Sequence, residues 1–275
     1  AKTVTLGRTH WSDTNRVMLR NRRIGCSVSG VAQFVTNRGI DEFQQWLNNG
    51  YDVIQTWDKS YSDWMAVPRS IKTTSVKPSG TVSLLAGATP GLHYPESRFY
   101  IRRIRLSKHS DLIEPMKKAG YKIEPAFGSE DTTCVVEVPV DVGEGIRTAG
   151  ELSIWEQFSI AAFMQRHWAD NQVSCTVTFD PETEGSQIEP CLNYYQYHLK
   201  GISLLPRHDY GAYPQMPYES IEEKEYDRQV SKLSKLSFGV IKQEEANIEK
   251  FCDGDFCDVE VIPTHGDNDD QEYAN

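Results

Sequence analysis

The sequence predicts an α/β fold: a helical segment, then alternating strands and helices, then an acidic tail. Three observations carry this. From residue 72 to about 205, short β-branched runs alternate with apolar runs at helical spacing, which is the pattern of βαβ units. Residues 1–70 hold helix signals, with apolar side chains recurring every three or four positions. Beyond about residue 240 the periodicity fades and carboxylates accumulate.

Composition supports a packed protein. The 275 residues suit one large domain or two small ones, with 39% hydrophobic and 11% aromatic residues. The net charge of −10 argues against a general nucleic-acid binder, which carries a basic footprint. Much of the excess is local: residues 244–275 hold eleven Asp or Glu and one Lys. No apolar run reaches membrane-spanning length, and Ala1-Lys2-Thr3-Val4-Thr5-Leu6 has no signal-peptide core. That start lacks Met and falls inside an apparent element, so the expectation is the later part of a longer protein.

In chain order, Ser12-Asp13-Thr14-Asn15 starts a helix bearing Arg16, Arg20, Arg22 and Arg23. A second apolar segment runs from Val28 to Val35 and stops at Gly39. Asp41 is expected to cap a long helix, and Gly50 is a candidate break in it. Its stripe of Phe43, Trp46, Leu47, Val53, Ile54, Trp57, Tyr61, Trp64 and Met65 reads as core packing. Strands are expected at 73–77, 99–106, 132–138, 172–179 and 201–205. The intervening helices are 79–86, 110–119, 150–168 and 187–198. Right-handed crossovers would make the sheet largely parallel, either open or part of a barrel. Residues 220–236 suggest a surface helix.

The most informative stretch is Lys72 to His93. Pro78 ends a strand, and Ser79-Gly80-Thr81 opens the apolar run from Val82 through Ser83 to Ala86. A strand end, a small-residue turn and a helix start leave free N–H groups facing an anion, with hydroxyls of Ser79, Thr81 and Ser83 as further donors. The same residues equally describe an ordinary capped helix. There is no G-x-x-x-x-G-K-[ST] phosphate loop.

Other groups are open to two readings. Cys252 and Cys257 flank Asp-Gly-Asp-Phe in the tail, a dithiol pair or two unrelated thiols. Cys26, Cys134, Cys175 and Cys191 sit in apolar segments, as buried free thiols of a cytoplasmic protein do. Alternation puts Arg103 and Arg105 on one strand face and Arg102 on the other, meeting phosphate or a salt-bridge partner. Asn171, Gln172 and Ser174 either enter a site or finish a turn. The histidines form no metal-binding spacing, and only His93, closing the turn segment, attracts interest.

Several of these segments together resemble ribonucleotide reductase large chains, most closely the adenosylcobalamin-dependent ribonucleoside-triphosphate reductases. The likeness is carried by Lys77-Pro78-Ser79-Gly80-Thr81, Asn21-Arg22-Arg23-Ile24-Gly25, Tyr100-Ile101-Arg102-Arg103-Ile104-Arg105, Asp170-Asn171-Gln172-Val173-Ser174, residues 199–206 and residues 211–219, in order from about residue 1 to about 262. The resemblance implies a ten-stranded α/β barrel of which this chain is the second half. Residues 1–70 would be its helical segment, 71–219 the half-barrel of five βα-type units, 220–243 an extension and 244–275 a flexible redox tail. It implies that Ser79, Gly80, Thr81, Val82 and Ser83 hold substrate phosphates. Cys252 and Cys257 would re-reduce an active-site disulfide and be recharged by a thioredoxin-like reductant. It implies adenosylcobalamin as cofactor of the complete enzyme and ribonucleoside triphosphates as substrates. The family's radical cysteine and its glutamate lie in a C-x-E segment that this sequence lacks, so the N-terminal part of the reductase is an expected partner. The alternative is a non-catalytic fragment or complementing subunit. The adjacent Tyr194 and Tyr195 invite comparison with a radical-relay pair but read better as helix core.

Overall fold

The computed structural model describes residues 1–80, 82–207 and 214–237. Three helices come first: α1 (Ser12–Asn21), α2 (Val31–Arg38) and α3 (Ile40–Trp64). A single turn, α4 (Val82–Leu85), precedes β1 (Phe99–Ser107), α5 (Ile113–Lys118), β2 (Lys122–Pro125) and β3 (Thr133–Asp141). Then follow α6 (Ile154–His167), β4 (Thr176–Phe179), α7 (Ile188–Tyr195), β5 (Ser203–Pro206), β6 (Tyr218–Ser220) and α8 (Glu223–Val230).

The strands form two layers of opposite character. Four extended segments run parallel, in the order 24–26, 72–76, 171–179 and 203–206. Bridges join Cys26 to Thr74 and Val76 to Val173, and β4 pairs with β5. Ser75 N–H donates to the Cys26 carbonyl (3.0 Å) and Ser174 N–H to the Val76 carbonyl (2.9 Å). One face of this layer is apolar. Val76, Val173, Cys175, Val177 and Phe179 pack against Phe43, Leu47, Phe158, Met164 and Trp168 of the helices and the α6 terminus. Alternation turns Ser75, Ser174, Thr176 and Ser203 to the other face.

The second layer corrects the expectation of a largely parallel sheet. β1 pairs antiparallel with both β3 and β6, and β2 pairs antiparallel with β3, giving the order β2-β3-β1-β6. A parallel return needs a crossover of a dozen or more residues, usually through a substantial helix. The expected helix 110–119 has shrunk to the six residues of α5, and the chain then doubles back through the unforeseen β2. Among the described residues, β4–α7–β5 is the one stretch where consecutive strands flank a helix and pair in parallel, so the series of five βα-type units is not what forms.

Helix α3 departs from expectation twice. It runs unbroken through Gly50, and its N-cap is Gly39 rather than Asp41, which lies in the first turn. Gly50 is needed for closeness: a Cβ there would sit 3.3 Å from the Trp168 ring. Its aromatic stripe is not all core. Phe43 and Leu47 are buried, whereas Trp46 is 64%, Trp57 49% and Trp64 73% exposed. Trp57, Tyr61 and Trp64 pack on one another instead, with Trp57 and Tyr61 stacked at 5.3 Å. Tyr194 is likewise exposed rather than core, meeting Tyr195 edge-on at 4.8 Å. The N-terminus is pinned by the buried Lys2 ammonium, which donates to Asp58 Oδ1 (3.0 Å), Ser70 Oγ (3.0 Å) and the Pro68 carbonyl (3.1 Å).

Candidate functional site

The turn singled out in the sequence lies at the carboxyl end of the second parallel segment, where open α/β sheets place their ligands. Pro78 and Gly80 line a cavity of about 290 Å³ between the two strand layers. Tyr100 and Tyr218 border it from the antiparallel sheet, and Cys175 to Thr178 from the parallel one. His93 closes the wall.

The turn is braced by its own chain. Ser79 sits in the left-handed region at φ 56°, a conformation that non-glycine residues adopt at a cost. The buried Ser83 hydroxyl donates to the Ser79 carbonyl, so its proton is already used within the turn. Val82 begins α4 and is exposed. Because α4 is a single turn, its dipole contributes little, and any anion affinity must come from N–H groups and nearby charge. Gly91 supports the turn from behind. Its φ is +54°, and a Cβ there would approach the Lys77 carbonyl to 2.4 Å, so only glycine lets this loop close on the strand end. Thr81, Cys252 and Cys257 lie outside the described residues.

His93 is a fixed post. Its Nε2 accepts from the Thr176 N–H at 3.2 Å, and burial holds its pKa below the usual imidazole value against the opposing Pro90 carbonyl. It is therefore neutral at pH 7 and joins the turn segment to β4. Burial pushes the Cys175 thiol up to about 12 and raises Cys134 and Cys191 as well. These three are buried free thiols, as their apolar surroundings suggested, whereas Cys26, expected to be buried with them, is only half-buried.

The arginine strand divides as alternation requires. Arg103 is paired with Glu137 (2.9 Å) and with Glu219. Arg102 turns the other way, lies 4.4 Å over the Tyr218 ring and reaches the Gly80 carbonyl at 3.4 Å. Asn171 neither enters the cavity nor merely ends a turn. Its Nδ2 donates to the Ile24 (2.9 Å) and Thr74 (2.7 Å) carbonyls and ties three parallel segments together. Sequence reading missed Tyr100 and Tyr218. The only signal for them was their place in segments that resemble the reductases. No metal-binding cluster of His, Cys, Asp or Glu occurs among the described residues, and no described helix is long and apolar enough to cross a membrane.

Comparison with known proteins places this geometry. The crystal structure of a B12-dependent (class II) ribonucleotide reductase superposes with a TM-score of 0.73 at 34% identity, covering 84% of this chain and 36% of that one. The chain belongs to the ribonucleotide reductase family. Within it, the chain is 53% identical over 262 residues to the adenosylcobalamin-dependent ribonucleoside-triphosphate reductase of Euglena gracilis, covering 94% of this chain and 36% of that protein. It is also 53% identical over 263 residues to the probable enzyme of the same description from Dictyostelium discoideum, covering 94% and 35%. The chain thus spans about a third of the length of the relatives it matches. No family model matches it.

Proposed function

We propose that this chain is the phosphate-holding and re-reducing part of an adenosylcobalamin-dependent ribonucleoside-triphosphate reductase, acting in the cytoplasm to make deoxynucleotides for DNA synthesis. The observation that carries the reading is the Pro78–Gly80 turn opening on a cavity at the carboxyl end of a parallel strand, in a chain so similar to reductases of that description. The parallel layer also supports a half-barrel. All-parallel sheets are ordinarily covered on both faces, and here the helices cover one. Further strands closing a barrel with these four segments would cover the other.

In this reading Ser79, Gly80, Thr81, Val82 and Ser83 present backbone N–H groups to the substrate phosphates and so fix the ribose. The ribose 2′-hydroxyl leaves as water and hydrogen takes its place, while two thiols of the complete active site become a disulfide. A thiyl radical starts the reaction from a C-x-E segment supplied by the N-terminal part of the reductase. Adenosylcobalamin, when bound to the complete enzyme, supplies the initiating radical. A corrin with its adenosyl group and nucleotide tail exceeds the 290 Å³ cavity several-fold, so that cavity is not its seat. Cys252 and Cys257 then exchange with the active-site disulfide: the two thiols are oxidised, the disulfide is reduced, and a thioredoxin-like dithiol protein restores them.

The test uses the full-length reductase carrying Cys252→Ser and Cys257→Ser together. Turnover with a small dithiol should persist, and turnover with a thioredoxin-type protein should vanish. Equal loss with both reductants refutes the shuttle. The alternative reading is a non-catalytic fragment or complementing subunit. Recovery of cobalamin-dependent reduction on mixing the chain with its N-terminal part would reject the inert form.

A further inference from the structure

Arg102 stands apart from Arg98 just before its strand and from Arg103 on it, which are both paired, and from Arg105, which also has no carboxylate partner among the described residues but is exposed to water. Arg98 pairs with Asp141 at 3.2 Å, and Arg103 with Glu137 and Glu219. Arg102 has no carboxylate partner among the described residues. Its contacts are to carbonyl oxygens: Pro217 (3.1 Å) and Arg103 (3.2 Å) from Nη1, and Gly80 (3.4 Å) from Nη2. Its Nε is buried without a partner among the described residues. Carbonyls orient a guanidinium but leave its full charge uncompensated, which is costly beside a largely apolar cavity unless an anion arrives.

The sheet fixes where that charge sits. Arg102 and Tyr218 are direct partners in the β1–β6 register, and the guanidinium lies over the Tyr218 ring. A one-residue slip would send Arg102 to the Arg103 face. Both Gly80 and Tyr218 line the cavity, so Arg102 is wedged between two of its wall residues. The side of Gly80 that lacks a Cβ faces this group. A Cβ built there would lie 3.8 Å from Arg102 Nη2 and 3.9 Å from the Tyr218 hydroxyl, and among the described residues, chain neighbours aside, no other atom comes within 4 Å. That hydroxyl makes no side-chain hydrogen bond among the described residues and reaches solvent, so it is free to donate to a ligand. A cationic fork and a phenol thus converge on the bare face of a glycine at a cavity wall.

We infer that Arg102 and Tyr218 seat the outermost phosphate of the nucleotide and so set a preference for triphosphates over diphosphates. This rests on the reading of the 79–83 turn as the phosphate site, but not on the short helix α4. The turn's amides would hold the inner phosphates. The guanidinium, through its remaining Nη2 proton and by shifting off the Gly80 carbonyl, and the Tyr218 hydroxyl would donate to the terminal one. A diphosphate would leave the guanidinium unneutralised.

The experiment compares equilibrium binding of a ribonucleoside triphosphate and the matching diphosphate to the full-length reductase. Arg102→Gln should weaken the triphosphate roughly tenfold or more and change the diphosphate less than about twofold. Arg102→Lys should recover part of the loss, since charge returns without the fork. Tyr218→Phe should produce a smaller loss, again confined to the triphosphate. An unchanged triphosphate-to-diphosphate ratio in Arg102→Gln overturns the inference, because a residue that merely braces the turn through the Gly80 carbonyl would weaken both ligands alike. Gly80→Val separates the two levels of argument. If it abolishes binding of both nucleotides while Arg102→Gln leaves their ratio alone, the phosphate turn stands and the Arg102 assignment falls. If it leaves both affinities unchanged, both fall.

Discussion

Asp170 and Glu137 are carboxylates drawn into the two strand layers, and they are held by opposite chemistry. Asp170 opens the third parallel segment and is held by neutral donors. Its Oδ2 accepts from the Thr73 N–H and hydroxyl (both 2.9 Å) and its Oδ1 from the Tyr51 hydroxyl (2.9 Å). Glu137, on β3, is held by cations: Arg103 at 2.9 Å and Lys122 at 3.0 Å. The difference follows from topology. In the antiparallel sheet the register places Arg103 and Lys122 directly opposite Glu137 on either side, so charge pairing comes with strand pairing. In the parallel layer the strand starts cluster, and a carboxylate there meets backbone N–H groups and the helix behind. One layer is fastened by geometry and the other by charge.

The largest effect should come from the parallel layer. Burial pushes Asp170 up, but hydrogen bonds from the Thr73 amide and hydroxyl and from Tyr51, with the nearby Lys72 charge, outweigh it and hold its pKa below the usual value. Asp170→Asn should cost about 2 kcal/mol at neutral pH, measured by urea unfolding, because one of its atoms then turns a donor toward a donor. A group with a lowered folded pKa stabilises fully above its unfolded value of about 3.9 and loses that contribution as pH falls through the folded one. The gap between parent and variant should therefore close below about pH 4. A gap that persists unchanged in acid would show that Asp170 acts through shape rather than charge.

The sequence made the β4–α7–β5 unit legible, since its strands and helix each carry a clean period and the helical stretch is long enough to cross. It also made legible that Arg102 and Arg103 face opposite ways, because alternation is local. The partners of those arginines were not legible. They depend on which residue stands across the sheet, and Tyr218 lies 116 positions from Arg102 in chain order yet opposite it in space. Asp170 reads as a mere strand start, because Tyr51 stands 119 positions away. The turn at 78–80 was visible as chemistry, but its dependence on Gly91 was not, since that contact forms only when the loop folds back. The aromatic face of α3 misled because periodicity reports that a stripe is apolar, not that this chain covers it.

The next effect belongs to the charged layer. Glu137 is 5% exposed, and Glu137→Gln leaves the mostly buried Arg103 with Glu219 alone. The expected cost is about 1 to 2 kcal/mol by the same unfolding measurement. It should be smaller than that of Asp170→Asn because Arg103 retains one carboxylate and Lys122, 63% exposed, returns to water. A cost above that of Asp170→Asn would reverse the ranking of the two layers.

The smallest effect is the one that separates the two kinds of fastening most cleanly. Salt screens charges that reach solvent and leaves hydrogen bonds from neutral donors nearly untouched. Raising sodium chloride from ~0.05 M to ~0.5 M shortens the screening length to a few ångströms, about the length of the exposed Lys122 contact. The cost of Glu137→Gln should then fall by about 0.5 kcal/mol, while the cost of Asp170→Asn should hold steady. Unfolding curves of the parent and both variants at the two salt concentrations measure this directly. If both costs fall together, Asp170 is held chiefly by the charge of its Lys72 neighbour, and the contrast between a geometric and an electrostatic layer dissolves. If neither falls, the Arg103–Glu137 contact alone carries the antiparallel fastening, and the opposing Lys122 is a bystander.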